Sequence, residues 1–347
     1  MRNQRQIVII GGGLAGLTLG IGLRQRGIPV ILYEAGSYPR HRVCGEFISG
    51  RGRATLARLG LEEPLLAAGA RFATTAAFFS QRMASPVKLL PEPALCFSRF
   101  QLDAHFAKEF CSLGGELIEN HRHKQKVSLE GQIRASGRRS QPLEEGWRLF
   151  GLKIHARNVA LQADLEMHLT ANGYVGLCRL GDDRVNVCGL FRSRTTQPKL
   201  ADEWVSWLSG QSGSKLRERL ANASFEQDSL CSVAGIALMP RKAVDQSELC
   251  VGDAITMIPP VTGNGMSMAF ESAELALEPL CAYSTRQMTW EEARRQVGRR
   301  CDIAFRKRLS GASLLQSALF RPTTRWVLFA LVTRSSAAWR ILFQQTR

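Results

Sequence analysis

Residues 7–34 read IVIIGGGLAGLTLGIGLRQRGIPVILYE, and this run decides the fold. Ile7 to Ile10 is a short stretch rich in β-branched residues, which suits a strand buried on both faces. Gly11, Gly13 and Gly16 follow on the spacing G-x-G-x-x-G. The first permits a tight turn, the second lets backbone approach a pyrophosphate, and the third lets a helix pack on the strand. Leu14 and Ala15 open that helix, whose positive N-terminal end would face phosphates. Gly27 ends it, and Pro29 to Tyr33 forms a second strand closed by Glu34. A carboxylate at that point accepts hydrogen bonds from ribose hydroxyls, which favours FAD or NAD over a 2′-phosphorylated cofactor. The run also mimics an export signal, but its internal glycines, Arg24 behind it and the lack of an A-x-A site argue against one.

The rest of the composition excludes more than it assigns. At 347 residues the chain can bury a large core, with ordinary hydrophobic (45%) and charged (22%) fractions. Nine cysteines without a C-x-x-C pair give neither a disulfide framework nor a zinc site, so reduced thiols in a cytoplasmic protein are expected, with no metal. The net charge is +16, but its arginines are dispersed and no compact basic run with interleaved aromatics appears. Nucleic acid is therefore not expected as a partner; an anionic lipid or an acidic cofactor is.

A second motif narrows the cofactor. Residues 249–274 read LCVGDAITMIPPVTGNGMSMAFESAE: a buried strand, then Gly252-Asp253 at its carboxyl end, where open α/β sheets place ligands. Asp253 stands where it can bond the ribityl hydroxyls of a flavin. After Pro259 and Pro260, Gly263 and Gly265 leave backbone N–H groups free at the start of a helix continuing through Met266. Such an N-terminus, aimed at the flavin N1–C2=O edge, would stabilise the negative charge of the reduced state. The pair of motifs resembles the FAD-binding oxidoreductases of the para-hydroxybenzoate hydroxylase fold, which include aromatic monooxygenases and geranylgeranyl reductases. The cofactor that this resemblance implies is FAD.

Two further stretches extend the resemblance. RHRVCGEFIS, residues 40–49, is similar to the segment of geranylgeranyl-reductase-like proteins that approaches the flavin, which implies cofactor-side roles for Arg42, Cys44 and Gly45. Cys44 reads either as a packed structural thiol or as a redox or proton-donating one. SRFQLDAHF is similar to the helix whose leading arginine reaches the FAD diphosphate, which implicates Arg99. There are departures too. Ser136 replaces the acid of the Asp-Gly pair that the hydroxylases carry in mid-chain. GYVGLCRL at 173–180 keeps Tyr174 but lacks the Trp, Phe and Pro that line the lipid tunnel of archaeal-type geranylgeranyl reductases. No W-x-W-x-I-P stretch of the halogenases is present, so halogenation is not favoured.

The element order, α/β then β then α/β, implies an α/β fold: a Rossmann-type FAD-binding domain with an inserted, largely antiparallel β-sheet substrate domain and C-terminal helices. The expected FAD-binding parts are 1–72, 96–146 and 246–310; the substrate sheet takes 73–95 and 147–245; residues 311–347 form a helical segment. Residues 200–222 read as helical, and 120–146 as polar and poorly patterned. The C-terminal helices either pack on the FAD domain or lie in a membrane interface, peripheral to its inner face. Two reaction classes compete: NAD(P)H-linked oxygenation of an apolar polyketide- or lipid-derived small molecule, and FAD-dependent reduction of a C=C bond. A non-catalytic FAD-binding protein or electron carrier is the third reading. No second G-x-G-x-x-G exists, so NAD(P)H would dock transiently. His155 and His168 fall in strands that could face the pocket, and Tyr174 is a substrate-side candidate; none is assigned as acid or base.

Overall fold

The computed structural model describes residues 4–81, 83–123, 129–138, 148–194, 200–236 and 238–345. The chain opens with β1 (Ile7–Ile10), α1 (Leu14–Arg24) and β2 (Val30–Tyr33), then β3 (Phe47–Ile48), α2 (Arg51–Arg58) and α3 (Glu62–Ala67). Next come β4 (Arg71–Ser80), β5 (Met83–Ala84), β6 (Lys88–Cys96), α4 (Arg99–Ser112), β7 (Glu116–Ile118) and β8 (Gln132–Arg134). A run of β9 (Arg148–Arg157), β10 (Leu165–Thr170), β11 (Gly173–Arg179) and β12 (Val185–Ser193) follows, then α5 (Leu200–Leu208), α6 (Lys215–Arg219) and β13 (Ser224–Ala234). The chain returns through β14 (Leu249–Cys250) and α7 (Gly265–Ser284), then ends in α8 (Trp290–Phe320), α9 (Pro322–Arg334) and α10 (Ser336–Gln345).

Among the described residues, five strands form a parallel sheet in the order β14-β8-β1-β2-β7. Its central strand has Ile9 at 0% and, on the opposite face, Ile10 at 6% exposure, as a strand covered on both faces requires. Helix α1 is buried from Leu14 to Leu23, hence apolar almost all round. Ser98 caps α4 by accepting from the Phe100 N–H, and Leu102, Phe106 and Phe110 of that helix turn into the same core. The QIR stretch at 132–134 is strand β8, between β1 and β14. Much of the polar stretch 120–146 lies outside the described residues.

The second sheet runs β13-β9-β12-β11-β10-β4-β6-β3, with β5 on β4. Its pairs are antiparallel except β10 with β4, where the chain enters from the other domain. Because side chains alternate, its two faces differ. Phe150, Leu152, Ile154 and Ala156 of β9 pack with Val175 and Val187 against Trp204, Leu208 and Leu216. Leu149, Gly151, Lys153 and His155 lie on the opposite face, toward the parallel sheet.

Three readings need correction. The 200–222 stretch is two helices, broken by Gly210 and Gly213 at φ 72° and 70°. Helix α8 runs unbroken through residue 310, where a boundary was expected. It packs on the first domain through Val297, Cys301 and Phe305, whereas α9 shares an apolar cluster with Val261 and Met257 of that domain and α9 and α10 lie mainly on the second sheet. Phe329 of α9 joins Leu169, Tyr174 and Leu190 of the second sheet, and Trp339 of α10 stands edge-on to Phe78 while its Nε1–H donates to the Leu89 carbonyl at 3.2 Å. The apolar end of the second sheet is what they cover.

Candidate functional site

The first glycine turn forms as its spacing demands. Gly11 has φ +112°, and a Cβ there would lie 2.5 Å from the Ala135 carbonyl oxygen; at Gly16 it would lie 2.0 Å from that of Gly11. A Cβ on Gly13 would meet no protein atom within 4 Å, so that backbone faces open space. Glu34, 5% exposed, accepts from the Gly12 N–H (2.8 Å), the Gly36 N–H (2.9 Å) and Arg40 Nη1 (2.7 Å). These donors hold its carboxyl below the ordinary range against burial, which pushes the other way. The Tyr38 hydroxyl donates to the Gly12 carbonyl. Ser136 is exposed directly after β8, next to this turn.

The 40–49 loop and the second turn converge on the same region. Arg42 is exposed, while Arg99 forms a two-pronged pair with Asp103 at 2.7 and 2.8 Å. Burial raises the Cys44 thiol, so it stays protonated; Arg99 offsets part of that effect. The Cys44 carbonyl accepts from Asn186 Nδ2 at 2.9 Å, which fixes the loop against β12. Gly45 carries no side chain between Cys44 and Phe47, whose ring packs against Gly263. Gly252 (φ +63°) donates its N–H to Ser272, and Asp253 follows, its carboxyl pushed up to about 6 by burial although Arg99 and Arg138 favour its charge. Pro260 starts a single turn of 3₁₀ helix ending at Gly263, and Gly265 begins α7 with Met266 buried behind it. A Cβ on Gly265, like one on Gly13, would meet nothing within 4 Å.

Sequence reasoning overlooked the buried charges under this loop. Glu46, at 0% exposure and φ 59°, accepts from the Arg99 N–H at 2.9 Å and contacts His155 Nε2 at 2.7 Å. Lys153 Nζ, also at 0% exposure, lies 3.6 Å from Glu46 and 3.0 Å from His41 Nδ1. Lys153 and His155 sit two apart on β9, so they share a face; that spacing was the available signal. His41, stacked on Phe100, is pushed down to about 4 by burial and by the Lys153 charge. Glu46 is held below its usual range by His155 and Lys153, against burial. Both shifts have one sign: the unfolded chain binds protons that the folded one does not, so stability falls as pH drops. For His41 the loss starts at its ordinary value of 6.5 and runs to about 4. Asp253 opposes the trend between 3.8 and about 6. A pH series of melting temperatures from 7 to 4 should therefore slope less steeply for His41→Gln than for the parent. Parallel slopes would show that His41 titrates normally.

His168 corrects a different expectation. It faces away from the first domain, stacked on Phe79 at 4.3 Å and bonded to Glu166 at 2.8 Å, beside Arg219 of α6. Tyr174 does face inward, with its hydroxyl 3.5 Å from Gln316. The register places Phe78, Met167, Gly176 and Cys188 in one row across that face. All four are partly accessible although most of the surrounding sheet is buried. The row continues through buried Lys153, opposite Cys188, to Cys231 at the edge strand β13.

The residues at the two turns fit a large, polar, negatively charged cofactor. Asn264, 0% exposed between Gly263 and Gly265, has neither side-chain polar atom bonded. Arg40 Nε and Nη2 are likewise buried without a partner. Such orphans are uncommon unless a ligand completes them. Asn264 was also overlooked from sequence, although it lies between two glycines already singled out. Residues 4–143 match the FAD binding domain family. The first glycine turn therefore lies in an FAD-binding domain. No curated protein sequence matches the chain. Its fold is similar to that of the flavin-dependent brominase Bmp2, at 17% identity, covering 99% of this chain and 94% of that one, TM-score 0.70. It is also similar to PqsL from Pseudomonas aeruginosa, described as a "probable FAD-dependent monooxygenase", at 14% identity, 94% and 100% coverage and TM-score 0.69. A flavoprotein/dehydrogenase from Cytophaga hutchinsonii gives 14% identity, 99% and 92% coverage and TM-score 0.74. The chain thus carries the para-hydroxybenzoate hydroxylase fold expected from its motifs.

Proposed function

We propose that this flavoprotein is an NAD(P)H-linked monooxygenase acting on an apolar, polyketide- or lipid-derived small molecule. The observation that supports this best is the partly accessible row Phe78, Met167, Gly176 and Cys188 on the sheet face toward the FAD domain. Small residues at its centre leave room, and Phe78 and Met167 give it an apolar end. Leu328 and Phe329 of α9 pack over the neighbouring Leu169, Tyr174 and Leu190, keeping water from that end. Bound FAD supplies two-electron chemistry and oxygen activation. Gly11, Gly13, Leu14, Ala15 and Gly16 would cradle the diphosphate at the start of α1, and Glu34 the adenosine ribose. Arg42, Cys44, Gly45, Gly252, Asp253, Pro260, Gly263, Gly265 and Met266 would surround the flavin half, and Arg99 would reach the diphosphate. The likeness to PqsL is in keeping with oxygenation. A C=C reductase is the second reading, favoured by the protonated Cys44 thiol in the 40–49 loop.

The test uses labelled dioxygen with NADH or NADPH and a panel of apolar aromatic and acyl substrates. Substrate-stimulated nicotinamide oxidation with one labelled oxygen in the product is expected. A product that gains two hydrogens and no oxygen would transfer the enzyme to the reductases, and bromide- or chloride-dependent product to the halogenases. Reversible FAD reduction with no product from any substrate would leave an electron carrier. Gly176→Val checks the site. Nothing lies closer than 3.7 Å to a Cβ there, so folding should be kept while KM rises at least about tenfold.

A further inference from the structure

Helix α9 is apolar on both sides. Its inner residues Leu328 and Phe329 pack on the second sheet, yet Val327 (60% exposed), Leu331 (48%) and Trp326 (46%) face outward. A helix lying on a protein in water normally turns polar residues outward. Ile341 of α10 is 52% exposed as well. The charges around these side chains have one sign. From Ile303 to the last residue the sequence holds eight Lys or Arg and no Asp or Glu. Arg321, Arg334 and Arg340 are exposed, and among the described residues no ion pair involves them. By contrast, Arg325 is turned to the protein, donating to the Thr170 carbonyl at 2.6 Å and fastening α9 to β10.

We infer that the outer surface of α9 and α10 docks on an anionic lipid surface. Trp326, Val327 and Leu331 enter the interface, while Arg321, Arg334 and Arg340 meet the headgroups. Apolar side chains and basic residues then act together, the combination that holds a helix in the plane of a bilayer. Each arginine near such a surface contributes about fivefold in partitioning at physiological ionic strength. A second copy of the chain fits this surface poorly, because it would bring an all-basic segment against an all-basic segment. Among the described residues no helix is long and apolar enough to cross a membrane, so the contact is lateral. The inner side of α9 covers the apolar end of the sheet, which places the docked surface beside that end whatever molecule the site takes.

The FAD-loaded full-length protein is sedimented with phosphatidylglycerol–phosphatidylcholine vesicles and with phosphatidylcholine alone. Binding to the anionic vesicles that weakens with salt is expected. Val327→Glu/Leu331→Glu should weaken it at least about tenfold, and Arg334→Glu/Arg340→Glu by a similar factor. All four positions are exposed, so melting temperature and flavin spectrum should match the parent. Failure to bind either vesicle, or undiminished binding by either double variant, overturns the inference. So does conversion of a parental oligomer to a smaller species by these substitutions, which would assign the face to a second copy.

Discussion

Glu46→Ala is expected to destabilise the protein by about 3–5 kcal/mol, the range for removing one partner from a buried ion pair. The substitution strips the carboxylate from Lys153 and His155, both at 0% exposure, and from the Arg99 N–H. The Glu46 backbone is also in the left-handed region at φ 59°, a cost of about 1–3 kcal/mol that the network must offset. Its carbonyl accepts from Phe97 and its carboxylate from Arg99, so one residue joins the 41–46 loop, the start of α4 and strand β9. Those three pieces carry residues from both sides of the site. Urea unfolding measures the loss. The control is Glu46→Gln combined with Lys153→Met. Removing the charge on both sides should recover most of what Glu46→Gln alone loses, because the penalty lies in the unpaired ammonium. A double variant no more stable than Glu46→Gln would refute that account. An alanine variant within about 1 kcal/mol of the parent would show that water reaches Lys153.

What the sequence carried clearly was local. The 7–34 run has its turn, helix and acid within one short span, so backbone sterics and burial dictate its shape almost without outside help. The same is true of Gly252-Asp253 and the 263–265 turn, and both turns stand where expected. The buried charges were harder to see because their partners are distant: Glu46 and His155 are 109 residues apart, and neither has a pattern by itself. Alternation along RLFGLKIHA implied one wet face and one dry, but residues 150–156 are buried on both. It could not say that the face carrying Lys153 and His155 turns toward the 41–46 loop rather than water. His168 shows the complement, since its even-numbered position in LEMHLT sends it to the α6 side with Glu166. The C-terminal helices were read from composition, and composition does not reveal which sheet they cover. That depended on the apolar end of the second sheet, assembled from β10, β11 and β12.

The two glycines of the first turn separate folding from cofactor binding. In the protein alone, a Cβ at Gly16 would be 2.0 Å from the Gly11 carbonyl oxygen, while one at Gly13 would touch nothing within 4 Å. Gly13 also has φ −81° and ψ −176°, extended backbone that alanine adopts freely. Gly16→Val should therefore force α1 off β1, lowering the melting temperature of the apoprotein and abolishing retention of FAD. Gly13→Ala should leave apoprotein melting unchanged. It should still weaken FAD at least about a hundredfold, or about 2.7 kcal/mol, because its methyl group takes the space where a diphosphate must approach the helix N-terminus. Fluorescence quenching of FAD titrated with apoprotein measures the second effect, and calorimetry the first. If Gly13→Ala binds FAD like the parent, the diphosphate does not lie over this turn and the assignment of its residues is wrong. If Gly16→Val melts like the parent, the turn has room that its geometry denies.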